Sequence, residues 1–339
     1  MARKNRKTHI YISQAQKKNK SNIKRAIAKK NWWYHNKIRL IHESQNIIIY
    51  KTIKFSNRLY LSSSDEQIFK QIKIARNKSA VRFSFSDVKS VDVGSMLYIK
   101  AFIDYKTKLG GYIKISCSPQ NVKMRQILQH MKLKDYGINI TYSDIKCWNV
   151  REWHESSHEN YGKVLMEEIL PSVLENKFPS KEFSRIASGL NELLSNCSEH
   201  AYNDEDLFKG YYLIAGEYDN MDTGKSNEFS FCIIDMGQGF RASLHKNSGF
   251  NKFFGDIGIL SDEKLIKEAV DSRFNANKVK NSGRGTGLPA VKKSVEIVNG
   301  GLHIYSDAGT YMLNADKERL KKRMYDIIGS IITVNLPIN

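Results

Sequence analysis

Proline is scarce in this 339-residue chain, with five in all, and cysteine is scarcer, with four. Cys117, Cys147, Cys197 and Cys232 lie far apart and form no Cys-x-x-Cys pair. That spacing argues against a disulfide framework or a zinc knuckle and fits buried thiols in a reducing, cytoplasmic setting. No apolar run reaches the roughly 18 residues of a membrane-spanning helix, so no span is expected. The opening MARKNRKTHIYISQ has basic residues but no apolar stretch behind them, and so does not read as a secretory signal. Acidic residues are missing altogether from the first 42 positions.

What is present is positive charge and enough apolar residues to build cores. Hydrophobic residues make up 41%, which excludes a wholly disordered chain. The net charge is +19, and 13 Lys and Arg in residues 1–42 leave only +6 for the rest. Tyr11, Trp32, Trp33 and Tyr34 are interleaved with those cations and offer faces on which bases can stack. Residues 1–45 are therefore expected to form a basic helical arm that contacts nucleic acid or the ribosome through 1–42. The same residues also suit a solvated basic helix whose Trp-Trp-Tyr cluster docks on the chain's own body.

From residue 46 the pattern turns to short strands alternating with helices. IIIYKTIKF and LYLSS read as strands, 66–76 as a helix, 81–85 as a strand and 93–111 as a helix stopped by a double glycine. A strand at 112–118 and a helix at 121–133 follow, which predicts an α/β domain over 46–147. The run VRFSFSDVKSVDVGSMLYIKAFIDYKTKLGGYIKIS resembles the STAS domain of anti-sigma-factor antagonists. Regulatory members carry a phosphorylatable Ser directly after the loop Asp. Here Asp92 is followed by Val93, and Ser95 falls where the family usually has Gly. The resemblance thus implies a scaffold or protein-partner role rather than a phospho-switch.

A polar linker near 146–162 leads into the remainder, 148–339, where three motifs carry chemistry. Helices are expected around 161–175 and 181–201, strands at 211–218, 229–235, 301–307, 310–314 and 330–336. The segment 240–282 reads as irregular and 315–326 as a charged, solvated excursion. In NELLSNCSEHAY, Glu192, Asn196 and His200 recur every four residues and share one helix face. A carboxylate and an amide one turn apart suit a hydrated magnesium ion, which prefers oxygen ligands. FSFCIIDMGQGF is an apolar strand ending in Asp235, with Gly237 and Gly239 behind it. A carboxylate there can accept the amine of adenine, and the glycines would let backbone approach the purine. NSGRGTGLPAV sets Gly283, Gly285 and Gly287 before a helix that begins near Leu288, where free backbone N–H groups can cradle phosphate. Each motif alone is also an ordinary structural feature.

In that order the three motifs resemble the GHKL ATPase superfamily, whose members include gyrases, histidine kinases and anti-sigma serine kinases. The resemblance implies a C-terminal α/β sandwich that binds ATP and Mg, with a mixed sheet covered by helices. It implies Glu192 as the catalytic or water-orienting carboxylate, Asn196 as the magnesium ligand beside the ATP phosphates, and Asp235 as the adenine acceptor. Gly237 and Gly239 would shape that pocket, with His200 nearby. Gly283, Gly285, Thr286, Gly287 and Leu288 would form a phosphate-binding hinge, and 271–282 a lid bringing Lys278, Lys280 and Arg284 near the phosphates. Gly329-Ser330 stands where the family's closing strand has Gly-Thr. The function implied is a regulatory ATPase that switches a partner, and homodimers are common in such proteins. A partner-switch protein serine kinase, or a module that only senses ATP while binding nucleic acid, are the alternatives.

Other strings carry less. His154-Glu155-Ser156-Ser157-His158 matches the zinc-protease pattern, but its polar surroundings lack the face that would bury such a helix. Thr223-Gly224-Lys225-Ser226 mimics the end of a P-loop but lies between two strands, as a hairpin turn does.

Overall fold

The computed structural model describes residues 48–63, 66–131, 133, 149–154, 167, 170–171, 178–203, 205–206, 208–217, 228–245, 260–271 and 287–337. The arm expected over 1–45, the helix expected near 161–175 for all but a few residues, and the 223–226 string lie outside them. The chain divides into two compact units, Met1–Ile49 and Tyr50–Asn339, and every secondary-structure element below belongs to the second.

That unit is mixed α/β, with two sheets. The first is parallel, in the order β1 (Lys51–Leu59), β2 (Ala80–Val91), β3 (Tyr112–Ser116). Helix α1 (Gln67–Arg76) connects β1 to β2, α2 (Val93–Lys108) connects β2 to β3, and α3 (Val122–His130) follows. Asp92 caps α2: its carboxylate accepts the Ser95 N–H at 2.6 Å and the Leu61 N–H at 2.8 Å, which fixes the helix start. Helix α2 ends at the expected double glycine, with Gly110 at φ 80°. The strand expected over 81–85 runs on to Val91, because pairing with β1 carries the polar FSFSDVKSV stretch along. For the same reason the two short strands expected near 46–63 are one strand, β1.

The second sheet has seven strands and is antiparallel. These are β4 (Asn149–His154), β5 (Gly210–Glu217), β6 (Glu228–Asp235), β7 (Gly301–Ser306), β8 (Gly309–Asn314), β9 (Lys317–Lys322) and β10 (Ser330–Pro337). They run in the order β4-β5-β6-β10-β7-β8-β9. The helices of this half are α4 (Ser180–His200), α5 (Gly239–His245), α6 (Asp262–Val270) and α7 (Gly287–Ile297). Three stretches depart from the sequence expectation. The polar linker expected near 146–162 contains β4, a strand because it pairs antiparallel with β5. The stretch 240–282 is not irregular throughout: it contains α5 and α6. Helix α6 has Asp262 and Glu263 in its first turn and buries Leu265, Ile266 and Val270. Within 315–326 lies β9, formed because a tight turn at Ala315-Asp316 returns the chain alongside β8. Its exposed, lysine-rich edge is the composition that discourages further strand pairing.

One core joins the two sheets. Eleven consecutive residues of α2, Val93 to Ile103, are buried, as expected of a helix covered on all sides. They pack with Phe55, Phe83 and Phe85 of the first sheet and with Tyr212, Cys232, Ile234 and Ile331 of the second. The one lysine in that run, Lys100, is neutralised by Asp104, which also accepts the Tyr212 hydroxyl at 3.0 Å. The other face of the seven-stranded sheet packs against α4, α6 and α7 through Leu193, Ile233, Ile266, Val291 and Ile332.

Candidate functional site

On β6, β10 and β7, the helix-covered face of the seven-stranded sheet is apolar except at one end. There Tyr211, Asp235, Ser330 and Ser306 are successive partners across β5, β6, β10 and β7. The next row inward on that face is Leu213, Ile233, Ile332 and Ile304, all buried. A polar row thus closes an apolar layer, and its centre is a carboxylate.

Asp235 is only 5% exposed. Its Oδ1 accepts the Gly237 N–H at 2.9 Å, and the Ser330 hydroxyl and N–H also hydrogen-bond to it. Burial raises its pKa to about 6; the three hydrogen bonds oppose the shift, and Asp307 nearby adds to it. Ser306 extends the row: its Oγ accepts the Phe240 N–H at 2.9 Å and lies 3.5 Å from the Ser330 Oγ.

The C-terminal end of α4 is joined to the loop after β6. Gln238 N–H donates to the Ala201 carbonyl at 2.8 Å, and Met236 N–H to the Tyr202 hydroxyl at 2.9 Å. A Cβ on Gly237 would stand 2.0 Å from the Ala201 oxygen, so the glycine is required by the approach of α4 itself. The sequence reading assigned that space to a purine; here the end of α4 fills it. Gly329, at φ 72°, makes a similar approach from β10, with its Cβ position 2.0 Å from the Asp235 carbonyl oxygen. Gly239 opens α5.

Glu192 and Asn196 lie one turn apart on α4, half-buried, beside the inward Leu193, Leu194 and Cys197. Burial, and secondarily the Asp235 charge, hold the Cys197 thiol well above its usual range. His200 falls in the last turn of the same helix. Helix α7 packs tightly on α4, the Cβ position of Gly189 lying 2.9 Å from Val291. Because α7 leads into β7, whose last residue Ser306 is in the polar row, Gly287 and Leu288 start α7 at the same end of the sheet as Asp235. Asp235 and Ser330 thus meet across β6 and β10, with the end of α4 and the start of α7 at the same end of the sheet. Lys278, Lys280, Gly283, Arg284, Gly285 and Thr286 lie outside the described residues, as does the lid segment apart from Asp271.

Tyr211 and Ser306 join the row through strand register, which no local motif announces. Among the described residues no cluster of three or more His, Cys, Asp or Glu could hold a metal ion, and Cys117, Cys197 and Cys232 are free thiols. A cleft of about 430 Å³ opens beside the loop after β6, lined by Gly237, Gln238, Arg241, Asp307, Asp326 and Gly329. The Asp235 carboxylate does not line it. Arg241 is held there by Asp262 and the Leu260 carbonyl, at 2.7 and 2.6 Å. No helix of the described residues is long and apolar enough to cross a membrane. No protein-family model matches the chain, and no curated protein matches it.

Proposed function

We propose that the chain is a Mg·ATP-binding regulatory ATPase of the GHKL kind. The observation that carries this reading is the facing of Asp235 and Ser330 at the paired ends of β6 and β10, under the end of α4. The donor set suits the nucleotide. A carboxylate whose charge is penalised by burial gains from a further donor, and the amine of adenine is one. Asn196 offers a neutral amide oxygen of the kind magnesium takes beside phosphates. Bound magnesium would draw charge from the phosphates and hold the attacking water. Glu192, one turn before Asn196, would orient that water as a general base. The start of α7 would receive phosphate oxygens on its free N–H groups.

The switching part of the proposal is supported by the segment just before Ser330. Residues 323–328 are gripped by α1 and α2: Lys73 and Arg76 pair with Asp326, Met324 N–H donates to Glu66, and Ile328 N–H to Tyr98. A nucleotide that draws on Ser330 would pull on the segment that this STAS-like half holds, and so on any protein partner docked there.

Nucleotide turnover tests the reading. Glu192→Ala should keep ATP binding and lose phosphate release. Labelled phosphate appearing instead on a Ser or Thr of a protein partner would favour the partner-switch kinase. Binding without either would leave ATP as a sensed ligand.

A further inference from the structure

The outer face of the three-stranded sheet carries cations and aromatic rings together. Lys54, Arg82 and Lys114 are exposed on β1, β2 and β3, alternating with the buried Ile53, Phe83 and Ile115 of the inner face. Arg82 and Lys114 are direct register partners, an arrangement of like charges that is unfavourable unless something offsets it. Among the described residues the offset is one ring: Tyr50 has the Lys114 Nζ 4.8 Å and the Arg82 guanidinium 5.8 Å from its centroid. Among the described residues none of the three cations makes an ion pair. The one carboxylate on these strands, Asp87, lies beyond the register shift in β1. Tyr112, two residues before Lys114 on the same face, is 53% exposed.

We propose that this face binds single-stranded nucleic acid. The cations call for a polyanion, and the exposed Tyr112 ring beside them calls for one with flat, unpaired faces to stack. A duplex keeps its base faces covered, and an acidic peptide has none. None of these residues belongs to the site around Asp235, so the two proposals can fail separately.

The test is fluorescence anisotropy of the full chain with a labelled uridine oligomer of about 20 nucleotides, longer than one such platform needs, at several salt concentrations. Arg82→Glu combined with Lys114→Glu should weaken binding about tenfold or more and flatten the log–log salt slope by about 1.4, the share of two phosphate contacts on a single strand. Tyr112→Ala should weaken binding about fivefold or more while leaving that slope unchanged, as loss of one stacked base does. All three positions are exposed, and an unchanged melting temperature certifies the fold of each variant. Unchanged affinity in both variants would overturn the proposal, as would an equal loss with Tyr112→Ala for a polyglutamate probe, which has no bases.

Discussion

The Ile328 N–H donates to the Tyr98 hydroxyl at 3.2 Å, across 230 residues of sequence and inside the buried core. The bond ties α2 to the segment that delivers Gly329 and Ser330 to Asp235. Tyr98→Phe removes the acceptor and leaves a buried N–H without a partner. Chemical denaturation should show a loss of about 1–3 kcal/mol. Under the switching proposal, nucleotide affinity should change in the same variant, although Tyr98 lies outside the site.

Gly237→Ala would push a methyl group into the Ala201 carbonyl, a contact that backbone must move to relieve. A destabilisation of about 2–3 kcal/mol is expected, readable as a lower melting temperature. The far end of the same sheet serves as control, because Lys317→Ala on the exposed edge strand should change stability little.

The pH dependence follows from Asp235. Its native pKa, about 6, lies above the ordinary carboxylate value, so the native state holds the proton more tightly than the unfolded chain does. Its contribution therefore favours folding below the unfolded pKa and is lost as pH rises through about 6. Asp235→Asn should remove this term, and the difference in stability between variant and wild type should grow between pH 4 and 6, by roughly 2 kcal/mol in all. Nucleotide binding should run the other way. The ionised carboxylate is the better acceptor, so affinity in wild type should fall as pH drops below about 6.

Lys292 of α7 sits between Asp271, 2.7 Å away at the end of α6, and Glu318 of β9. Lys267 reaches the same two carboxylates, and the Tyr311 hydroxyl donates to Glu318 at 3.0 Å. Lys292→Met would leave the two carboxylates sharing one cation. A loss of about 1–2 kcal/mol is expected in a urea titration, larger than for an exposed surface pair.

Much of this architecture is legible from residue patterns, for identifiable reasons. Helix α2 announces itself through the Asp92 cap and the glycine stop, and β5, β6, β7, β8 and β10 through β-branched or aromatic runs bounded by turns. Helix α6 was also signalled, by Ser261, Asp262 and Glu263 ahead of Leu265 and Ile266, but the glycines and polar residues around it hide the signal. Strand β9 could not be read from composition, since its Lys-rich sequence becomes a strand only by pairing with β8. At the candidate site, the motifs mark Asp235, and Ser330 through its place in the closing strand, and these two meet across β6 and β10. Tyr211 depends on the register of β5 on β6, and Ser306 reaches Asp235 only through Ser330, whose strand pairs with β6 from nearly a hundred residues away. The reason for Gly237 was likewise out of reach: what approaches it is the backbone of α4.

The most direct measurement is isothermal titration of the full chain with ATP and magnesium at pH 7.5, repeated with Asp235→Asn. Saturable binding by the wild type is expected, weakened about tenfold or more in the variant, as loss of one hydrogen bond to a charged acceptor implies. A folded wild-type protein that takes up no nucleotide, or a variant that binds it equally well, would contradict the assignment of Asp235 and Ser330 to a nucleotide site.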